Sequence, residues 1–296
     1  MKVLPNDKAF LAIPEEDLAR YDNAKIVIQQ IPYEHTSSYL SGSDIGPAAM
    51  VAASHFVEFY DEELEMESYK RVGIATLDAL DFTNAVDADA IAIIEKQTDE
   101  LLMDDKFVVS LGAEHSLTYG LVKSHAKKYN DLCVLQFDAH SDLREAYHGN
   151  KYSHASVMAR VNEMKLPIVQ IGIRAQCKEE AELIRSSKNI HTFYAHKIRS
   201  NPNWMKEAIN NLSSNVYITI DADGFDPSVI PAVGTAEPNG MFWVETLEFF
   251  KEVFKTRNVV GFDIVECAPM EGSILSEYTL AKLAYRLIGY KIQQMH

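Results

Sequence analysis

Two aspartates and a histidine follow a short apolar run in the middle of the chain. The run at 132–137 continues into Asp138, His140 and Asp142, which stand at alternate positions. Alternate side chains of an extended backbone project from the same face, so these three groups could converge just beyond a strand. Carboxylate and imidazole groups at this spacing are typical metal ligands. The segment therefore predicts a metal site at a strand end.

A second acidic pair follows the apolar run at 216–220. Asp221 and Asp223 extend that run at alternate positions. A carboxylate that directly follows a buried strand is costly unless its charge is compensated, so we predict that both are metal ligands. Asp226 precedes a proline, so a role in shaping the loop explains its presence as well as a role in metal binding does. Its role stays open.

One histidine completes the candidate site from a third strand end. His115 follows a glycine turn after the run at 107–111, where a helix should begin. A lone histidine at a helix start is more often a surface or capping residue, but the acidic strand ends favour a ligand. The neighbouring Glu114 has a simpler interpretation, as a first-turn carboxylate that the helix dipole stabilises.

The charges of these side chains indicate how many metal ions they hold. Four aspartates carry four negative charges and two histidines are neutral donors, so two divalent cations balance the set. Oxygen and nitrogen donors without thiolate favour two Mn²⁺ over a structural Zn²⁺. Such a pair yields a bridging hydroxide near neutral pH, which predicts metal-assisted hydrolysis. The predicted ligands are His115, Asp138, His140, Asp142, Asp221 and Asp223.

Two further carboxylates lie in or just after the last apolar run, at 259–264. Glu266 lies where this run opens into a loop that contains a proline. Because the metal charges are already balanced, Glu266 is free to bind a cationic substrate. Asp263 alternates with residues of the opposite face, and we interpret it as a hydrogen-bond acceptor that orients a ligand or anchors a loop.

The elements that must position these side chains alternate between strands and helices. Most of the apolar, β-branched runs are continuous, which is typical of strands covered on both faces. The alternation predicts three layers, α/β/α, with a mainly parallel sheet of about eight strands and ligands bound at its carboxyl edge. The predicted strands are 26–31, 72–76, 107–111, 132–137, 168–171, 191–194, 216–220 and 259–264.

The helical patterns between these runs leave no place to divide the chain. No linker rich in proline, serine or glycine and no internal repeat interrupts the alternation, so we predict one domain over residues 1–296. The predicted helices are 47–59, 88–103, 116–128, 154–164, 179–186, 204–212, 244–254 and 276–292.

Composition and charge narrow the classes of partner. The formal net charge is −15 and no basic run is interleaved with aromatic residues, so we expect no nucleic acid to bind. The same charge favours small cationic substrates. No apolar run is long enough to span a membrane, the amino terminus lacks signal-peptide features and the three cysteines lack a CxxC spacing. We therefore expect a cytoplasmic protein with reduced thiols and no membrane contact.

Three segments, in order, resemble signatures of the ureohydrolase family, which contains arginases and agmatinases. They are GAEHS at 112–116, DAHSD at 138–142 and TIDADGFDP at 219–227. The segment around Glu266 and the stretch IPYEHTS at 31–37 are also similar to the family, so the resemblance covers nearly the whole chain. The family consists of binuclear manganese enzymes that release urea from guanidino compounds, and the resemblance implies an arginase-like fold.

The resemblance implies a role for each matching residue. One ion would bind His115, Asp138, Asp142 and Asp221, and the other Asp138, His140, Asp221 and Asp223. Asp138 and Asp221 would thus bridge the ions, and Glu266 would hold the guanidinium. His154 matches the histidine that shuttles protons and contacts substrate at the pocket mouth, although an ordinary loop histidine is the alternative. The family also forms trimers or hexamers, which implies a homo-oligomer.

Residues around the site bear on the choice of guanidino compound. The loop at 143–154 and the pair Glu237-Pro238 look more like agmatinases than arginases, which predicts hydrolysis of agmatine to putrescine and urea. Ala113, Thr219 and the loop at 234–240 depart from the usual family pattern without removing a ligand. The role of Glu237 stays open.

Other readings of the same residues remain. Arginase, guanidinobutyrase and guanidinase activities share the chemistry, although the carboxylate of arginine should find no evident cationic partner. A homologue that binds metal without catalysis and a zinc deacetylase belong to other classes, and the deacetylase would leave carboxylates uncompensated because it needs only one metal ion.

Overall fold

A parallel eight-stranded sheet lies at the centre of the computed structural model, which describes residues 1–295. Its strands run in the order β4-β1-β5-β10-β9-β6-β7-β8, and every neighbouring pair is parallel. The strands are β1 Ile26–Ile31, β4 Ile74–Thr76, β5 Phe107–Gly112, β6 Leu132–Phe137, β7 Ile168–Ile173, β8 Ile190–Tyr194, β9 Asn215–Asp221 and β10 Asn258–Val265. A separate antiparallel pair consists of β2 Tyr60–Asp61 and β3 Met66–Glu67.

Helices cover both faces of the sheet. Those of the described chain are α1 Glu16–Ala19, α2 Gly46–Ser54, α3 Ser68–Val72, α4 Ala88–Met103, α5 Thr118–Lys128, α6 Val157–Glu163, α7 Lys178–Ser186, α8 Ala195–Ile198, α9 Trp204–Asn210, α10 Trp243–Thr256 and α11 Leu275–Gln294. One apolar cluster joins α2, α9, α10 and α11 to one face, and a second joins α4, α5 and α6 to the other. The predicted three-layer architecture is confirmed.

The strand β6 shows why the apolar runs are continuous. All six of its residues are buried. Leu135 packs in the cluster that contains α10 and α11, whereas the adjacent Val134 packs in the cluster that contains α4 and α5. Alternate side chains therefore serve opposite layers, and neither face of the strand meets water.

Some element boundaries differ from the sequence prediction. The strand expected at 72–76 begins at Ile74, because Val72 ends α3 and Gly73 turns the chain with a φ of 63°. The helix expected at 47–59 ends at Ser54. The helix expected from residue 154 begins with a single 3-10 turn, His154–Ser156, before α6. No helix within residues 1–295 is long and apolar enough to cross a membrane.

Candidate metal centre and active site

Four adjacent strands bring the predicted site residues together. The order of strands in the sheet places β10 and β9, which come late in the chain, between β5 and β6. Their registers pair Ile220 with Phe137 and Asp221 with Val265, so the strands end at the same level. The polar residues after these strands consequently meet at one edge of the sheet, as predicted. They are His115 after β5, Asp138, His140 and Asp142 after β6, Asp221 and Asp223 around the end of β9, and Glu266 after β10.

The first group of ligand atoms surrounds His115. Its Nδ1 lies 3.1 Å from Asp138 Oδ2, 3.0 Å from Asp142 Oδ2 and 3.4 Å from Asp221 Oδ2. This nitrogen is buried and makes no hydrogen bond within the described chain. An imidazole lone pair and three carboxylate oxygens repel one another unless a cation lies between them. The arrangement therefore fits a divalent metal ion.

The second group surrounds His140, whose Nδ1 lies 2.9 Å from Asp223 Oδ2 and 3.7 Å from Asp138 Oδ1. Asp138 thus presents one oxygen to each group, and each group has three ligand atoms within 4.8 Å of one another. The Oδ1 of Asp221 instead accepts a hydrogen bond from the backbone N–H of Asp223, at 2.9 Å. Asp138 stands between the groups, while the bridging role of Asp221 stays a prediction.

The electrostatics of the centre require positive charge. Burial and the neighbouring carboxylates of Asp223 and Asp138 raise the pKa of Asp221 well above its ordinary value. Burial and the charge of Asp138 raise the pKa of Asp142 to about 7. The surrounding protein therefore does not stabilise these anions by itself, and a pair of divalent cations suits the donor set.

A relay of two buried side chains orients His115. The Thr219 hydroxyl donates its one hydrogen to Asp263 Oδ1 at 2.7 Å, so a lone pair of the same hydroxyl accepts the Nε2–H of His115, 2.8 Å away. The other oxygen of Asp263 accepts hydrogen bonds from Tyr217 at 2.8 Å and Thr118 at 3.2 Å. Since the Nε2 of His115 carries the proton, its Nδ1 lone pair faces the carboxylates. This is the orienting position that the sequence suggested for Asp263.

A chain of glutamines, which the sequence analysis missed, supports Asp138. Gln136 Nε2 donates to Asp138 Oδ2 at 2.7 Å, and its carbonyl accepts a hydrogen bond from Gln170 Nε2 at 2.7 Å. Thr192 donates to Gln170 Oε1 at 2.6 Å. Both glutamines are fully buried within otherwise apolar strands. That polar interruption of an apolar run was the available signal, because a buried amide must find partners.

Glu266 occupies a strained position beside the metal centre. Its φ is 64°, in the left-handed region that non-glycine residues rarely adopt, and Asp142 has a φ of 51°. The Oε1 of Glu266 accepts a hydrogen bond from the backbone N–H of His115 at 2.7 Å. Burial raises the pKa of Glu266 to about 8. The residue lines the inner part of the cleft together with Asp221, Asp223 and Gly234.

The cleft above the centre has an inner and an outer part. Both parts are lined by Ser38, His140, Asp142, His154 and Thr235. The outer part has a volume of about 280 Å³ and adds Arg144, Tyr147, Gln176, Glu180 and Glu237 to the lining. Arg144 is the only arginine or lysine among these lining residues. The sequence analysis did not anticipate this cation in the lining of the cleft.

Two loops that carry cleft residues are joined by Arg174, another residue the sequence analysis missed. Its guanidinium donates to the carbonyl oxygens of Asp223 at 2.6 Å and Glu237 at 2.8 Å. Asp226 shapes the same region, since its Oδ1 accepts from Ser228 N–H at 3.1 Å and its Oδ2 from Gly240 N–H at 3.0 Å. Asp226 does not line the cleft.

Glu114 differs from its interpretation as a helix-dipole carboxylate. It is fully buried, and it accepts hydrogen bonds from the backbone N–H groups of His35 at 2.7 Å and Thr36 at 2.6 Å. Its main contacts thus anchor the loop that follows β1. His154 lies at the start of the turn before α6, and its Nδ1 is 3.0 Å from Thr36 Oγ1.

Comparisons with known proteins agree with this architecture. A family model described as Arginase family matches residues 24–289. The chain is 43% identical to "N(1)-aminopropylagmatine ureohydrolase" of Synechocystis sp., over 98% of this chain and 95% of that protein. It is 36% identical to "Agmatinase" of Bacillus cereus, over 84% of this chain and 86% of that protein.

Solved structures show the same fold. The agmatine ureohydrolase of Thermoplasma volcanium superimposes with a TM-score of 0.83 and 30% identity, and the match covers 96% of this chain and 94% of that chain. The resemblance to agmatinase-like ureohydrolases, the arginase-like α/β fold and the assignment as an enzyme are thereby confirmed. The chain belongs to the arginase family.

Proposed function

We propose that this chain hydrolyses a guanidino amine at a binuclear metal centre and that N(1)-aminopropylagmatine is its preferred substrate. The observation that carries the chemistry is the pair of ligand groups that share Asp138 at the ends of adjacent strands. The substrate class rests on the relatives, whose names include aminopropylagmatine ureohydrolases and agmatinases.

The six predicted ligands would hold two divalent ions, with Mn²⁺ as our proposal for the metal. His115, Asp142 and Asp138 would bind one ion, and His140, Asp223 and Asp138 the other. Asp221, 3.4 Å from His115, completes the set. The bound ions would supply Lewis acidity and lower the pKa of a water molecule at the site. Asp138 and Asp221 therefore count among the catalytic residues that we propose.

Glu266 would bind the guanidinium group of the substrate. One of its oxygens already accepts the His115 N–H, which fixes the carboxylate at the floor of the inner cleft. A guanidinium donates paired, charge-assisted hydrogen bonds to a carboxylate, so the contact also orients the substrate. His154 lines the cleft as well, and we propose that it contacts the substrate and moves a proton to the leaving amine.

The outer cleft supports a substrate longer than agmatine. Hydrolysis of N(1)-aminopropylagmatine consumes one water and releases urea and a triamine. This substrate carries two cationic amines besides its guanidinium, one more than agmatine. Glu237 lines this part of the cleft, and its carboxylate makes no hydrogen bond or ion pair within residues 1–295. A free carboxylate at that place suits a cationic amine. Agmatine, the substrate predicted from the sequence, remains the second candidate.

Arginine is a weaker candidate, but the structure removes one argument against it. Arg144 lines the outer cleft, so a substrate carboxylate could find a cationic partner there. The ring of Tyr147 lies 5.4 Å from the Arg144 guanidinium and already provides it with a cation–π contact. We propose that arginine is hydrolysed more slowly than either amine.

The remaining expectations from the sequence accompany this proposal. A single domain is supported by the one central sheet, whose strands run from residue 26 to residue 265. A homo-oligomer, trimeric or hexameric, and a cytoplasmic location stay predictions. The acidic net charge continues to favour a small cationic substrate over nucleic acid.

A urea-release assay with added Mn²⁺ tests the proposal. We expect kcat/KM to fall in the order N(1)-aminopropylagmatine, agmatine, arginine, with guanidinobutyrate and guanidine lower still. Glu237→Gln should raise KM for the aminopropyl compound more than for agmatine, because the distal amine loses a charged partner. Asp105→Asn, an exposed change remote from the cleft, is the matched control. A preference for arginine, or no urea from any compound, would refute the proposal.

A further inference from the structure

The hydroxyl group of Thr36 joins the cleft residue His154 to the buried carboxylate of Glu114. It lies 3.0 Å from the backbone nitrogen of His154 and 3.0 Å from its Nδ1. It also lies 3.1 Å from Glu114 Oε1. The backbone N–H of His154 can only donate, so the roles of the other two contacts depend on where the single hydroxyl hydrogen points.

The surroundings of Glu114 decide that question. Its Oε2 accepts two backbone N–H groups, and its Oε1 contacts the hydroxyls of Ser116 and Thr36. A carboxylate with four donors around it accepts from each of them. The Thr36 hydroxyl therefore donates to Glu114, and its lone pairs accept both the backbone N–H and the Nδ1–H of His154.

We propose that Thr36 and Glu114 are positioning residues that hold His154 in its Nδ1–H tautomer, which leaves the Nε2 lone pair available to the cleft. This inference rests on the proposed function, because it concerns the proton-transfer step assigned to His154. The ring lines both parts of the cleft while its Nδ1 faces Thr36. Nε2, at the far side of the same ring, is the nitrogen left to exchange protons.

The tautomer matters because the ring is neutral before reaction. Burial lowers the pKa of His154 to about 4, so a single nitrogen carries the proton at neutral pH. During hydrolysis, Nε2 would accept a proton from water and return it to the amine nitrogen as the C–N bond breaks. Nδ1–H keeps its bond to Thr36 throughout, so the relay stabilises the charged ring as well as the neutral one.

Substitutions at Thr36 separate the relay from the fold. Thr36→Val removes the hydroxyl but keeps the branched shape and the two backbone N–H bonds that anchor the loop to Glu114. Thr36→Ser keeps the hydroxyl and should restore function. Thr83→Val is the matched control, because the Thr83 hydroxyl also donates to a carboxylate, Asp81, but at an exposed loop.

We expect Thr36→Val to lower kcat for urea release about 10- to 100-fold, with KM and bound metal nearly unchanged, whereas Thr36→Ser and Thr83→Val stay close to the starting enzyme. Unchanged kcat in Thr36→Val, or an equal loss in Thr36→Ser, would overturn the inference.

A spectroscopic measurement makes the test independent of turnover. In protein labelled with ¹⁵N-histidine and loaded with diamagnetic Zn²⁺, the His154 signals, identified by their loss in His154→Gln, should show a protonated Nδ1 and a bare Nε2. Thr36→Val should shift them toward the opposite tautomer. An Nε2–H tautomer in the unaltered protein would overturn the inference. If no guanidino compound is hydrolysed, the function fails while the tautomer result still stands.

Discussion

Two histidines of the cleft are oriented by the same kind of relay, in which a threonine hydroxyl connects the ring to a buried carboxylate. His115 donates from Nε2 through Thr219 to Asp263, whereas the Nδ1 of His154 contacts Thr36, which contacts Glu114. Opposite nitrogens are engaged, so opposite nitrogens are left free. The first relay leaves Nδ1 facing three carboxylates, and the second leaves Nε2 at the cleft.

The two relays differ in where they are built. Thr219 and Asp263 are fully buried on neighbouring strands at the centre of the sheet. The second relay crosses from a half-buried residue in the loop after β1 to the start of a 3-10 turn. The difference suits the roles that we propose: His115 as a metal ligand needs an exact and constant position, which paired strands provide, whereas His154 as a group that exchanges protons must also reach solvent and substrate.

A third histidine is buried in the core without such a relay. The Nδ1 of His125 faces the carbonyl oxygen of Leu121 at 2.8 Å, its Nε2 has no hydrogen-bond partner in the described chain, and its ring packs 4.6 Å from that of Tyr217. Burial lowers the pKa of His125 to about 4. We interpret this residue as part of the core.

The largest expected effect comes from removing a carboxylate that faces the free nitrogen of His115. Asp138→Ala removes the carboxylate that both ligand groups share, so urea release should fall below detection and bound metal should drop in elemental analysis. The exposed Asp105→Asn should retain both. If Asp138→Ala keeps two ions per chain, the shared-ligand arrangement is wrong.

The second prediction removes the threonine hydroxyl from each relay in turn and compares the effects on metal binding. Thr219→Val should weaken binding of Mn²⁺ about 10- to 100-fold, with activity recovered by excess metal, because His115 loses the partner that fixes its tautomer. Thr36→Val should leave the same titration unchanged. Equal metal affinity in the two variants would show that the relays do not have separate tasks.

The smallest effect concerns stability and uses His125. In the folded state His125 binds a proton only below about pH 4, whereas in the unfolded chain it binds one below about pH 6.5. The contribution of neutral His125 to the free energy of unfolding is therefore complete above pH 6.5. It decreases as the pH falls toward 4, by about 1.4 kcal/mol per pH unit.

Replacement of this buried histidine should remove that acid sensitivity. The free energy of unfolding of the unaltered protein minus that of His125→Leu should decrease by about 1 kcal/mol when the pH falls from 7 to 5.5. The exposed His196→Leu is the control and should show a constant difference. A constant difference for His125→Leu as well would mean that the buried ring titrates normally.

The strands and the gathering of polar side chains at their ends were the most predictable parts of this protein. All eight predicted strands are present, since β-branched, continuously apolar runs have few other stable arrangements in water. The proposed ligands follow strand ends at alternate positions, so Asp138 and Asp223 could be singled out as candidates without knowing the neighbouring strand. Element ends were less predictable, as at Val72, where a local turn decides the boundary.

The partners of several supporting residues come from distant segments and could not be identified from the sequence. Arg174 is one of nine arginines in the sequence, and only the fold shows that it donates to the carbonyls of two loops. Gln136 and Gln170 belong to different strands, and their contact exists because β6 pairs with β7. Glu114 was explained by its own helix start, whereas its main partners come from residues about 80 positions earlier.

The sequence by itself determined the alternation of strands and helices, the ligand types and the acidic charge that favours a cationic substrate. These properties depend on residue type and on spacing over a few positions. The tertiary structure alone decided which histidine nitrogen is free, which carboxylate lies between the ligand groups and that Arg144 and Glu237 line one cleft. Those outcomes depend on contacts between distant segments, which the insertion of β10 and β9 between β5 and β6 creates.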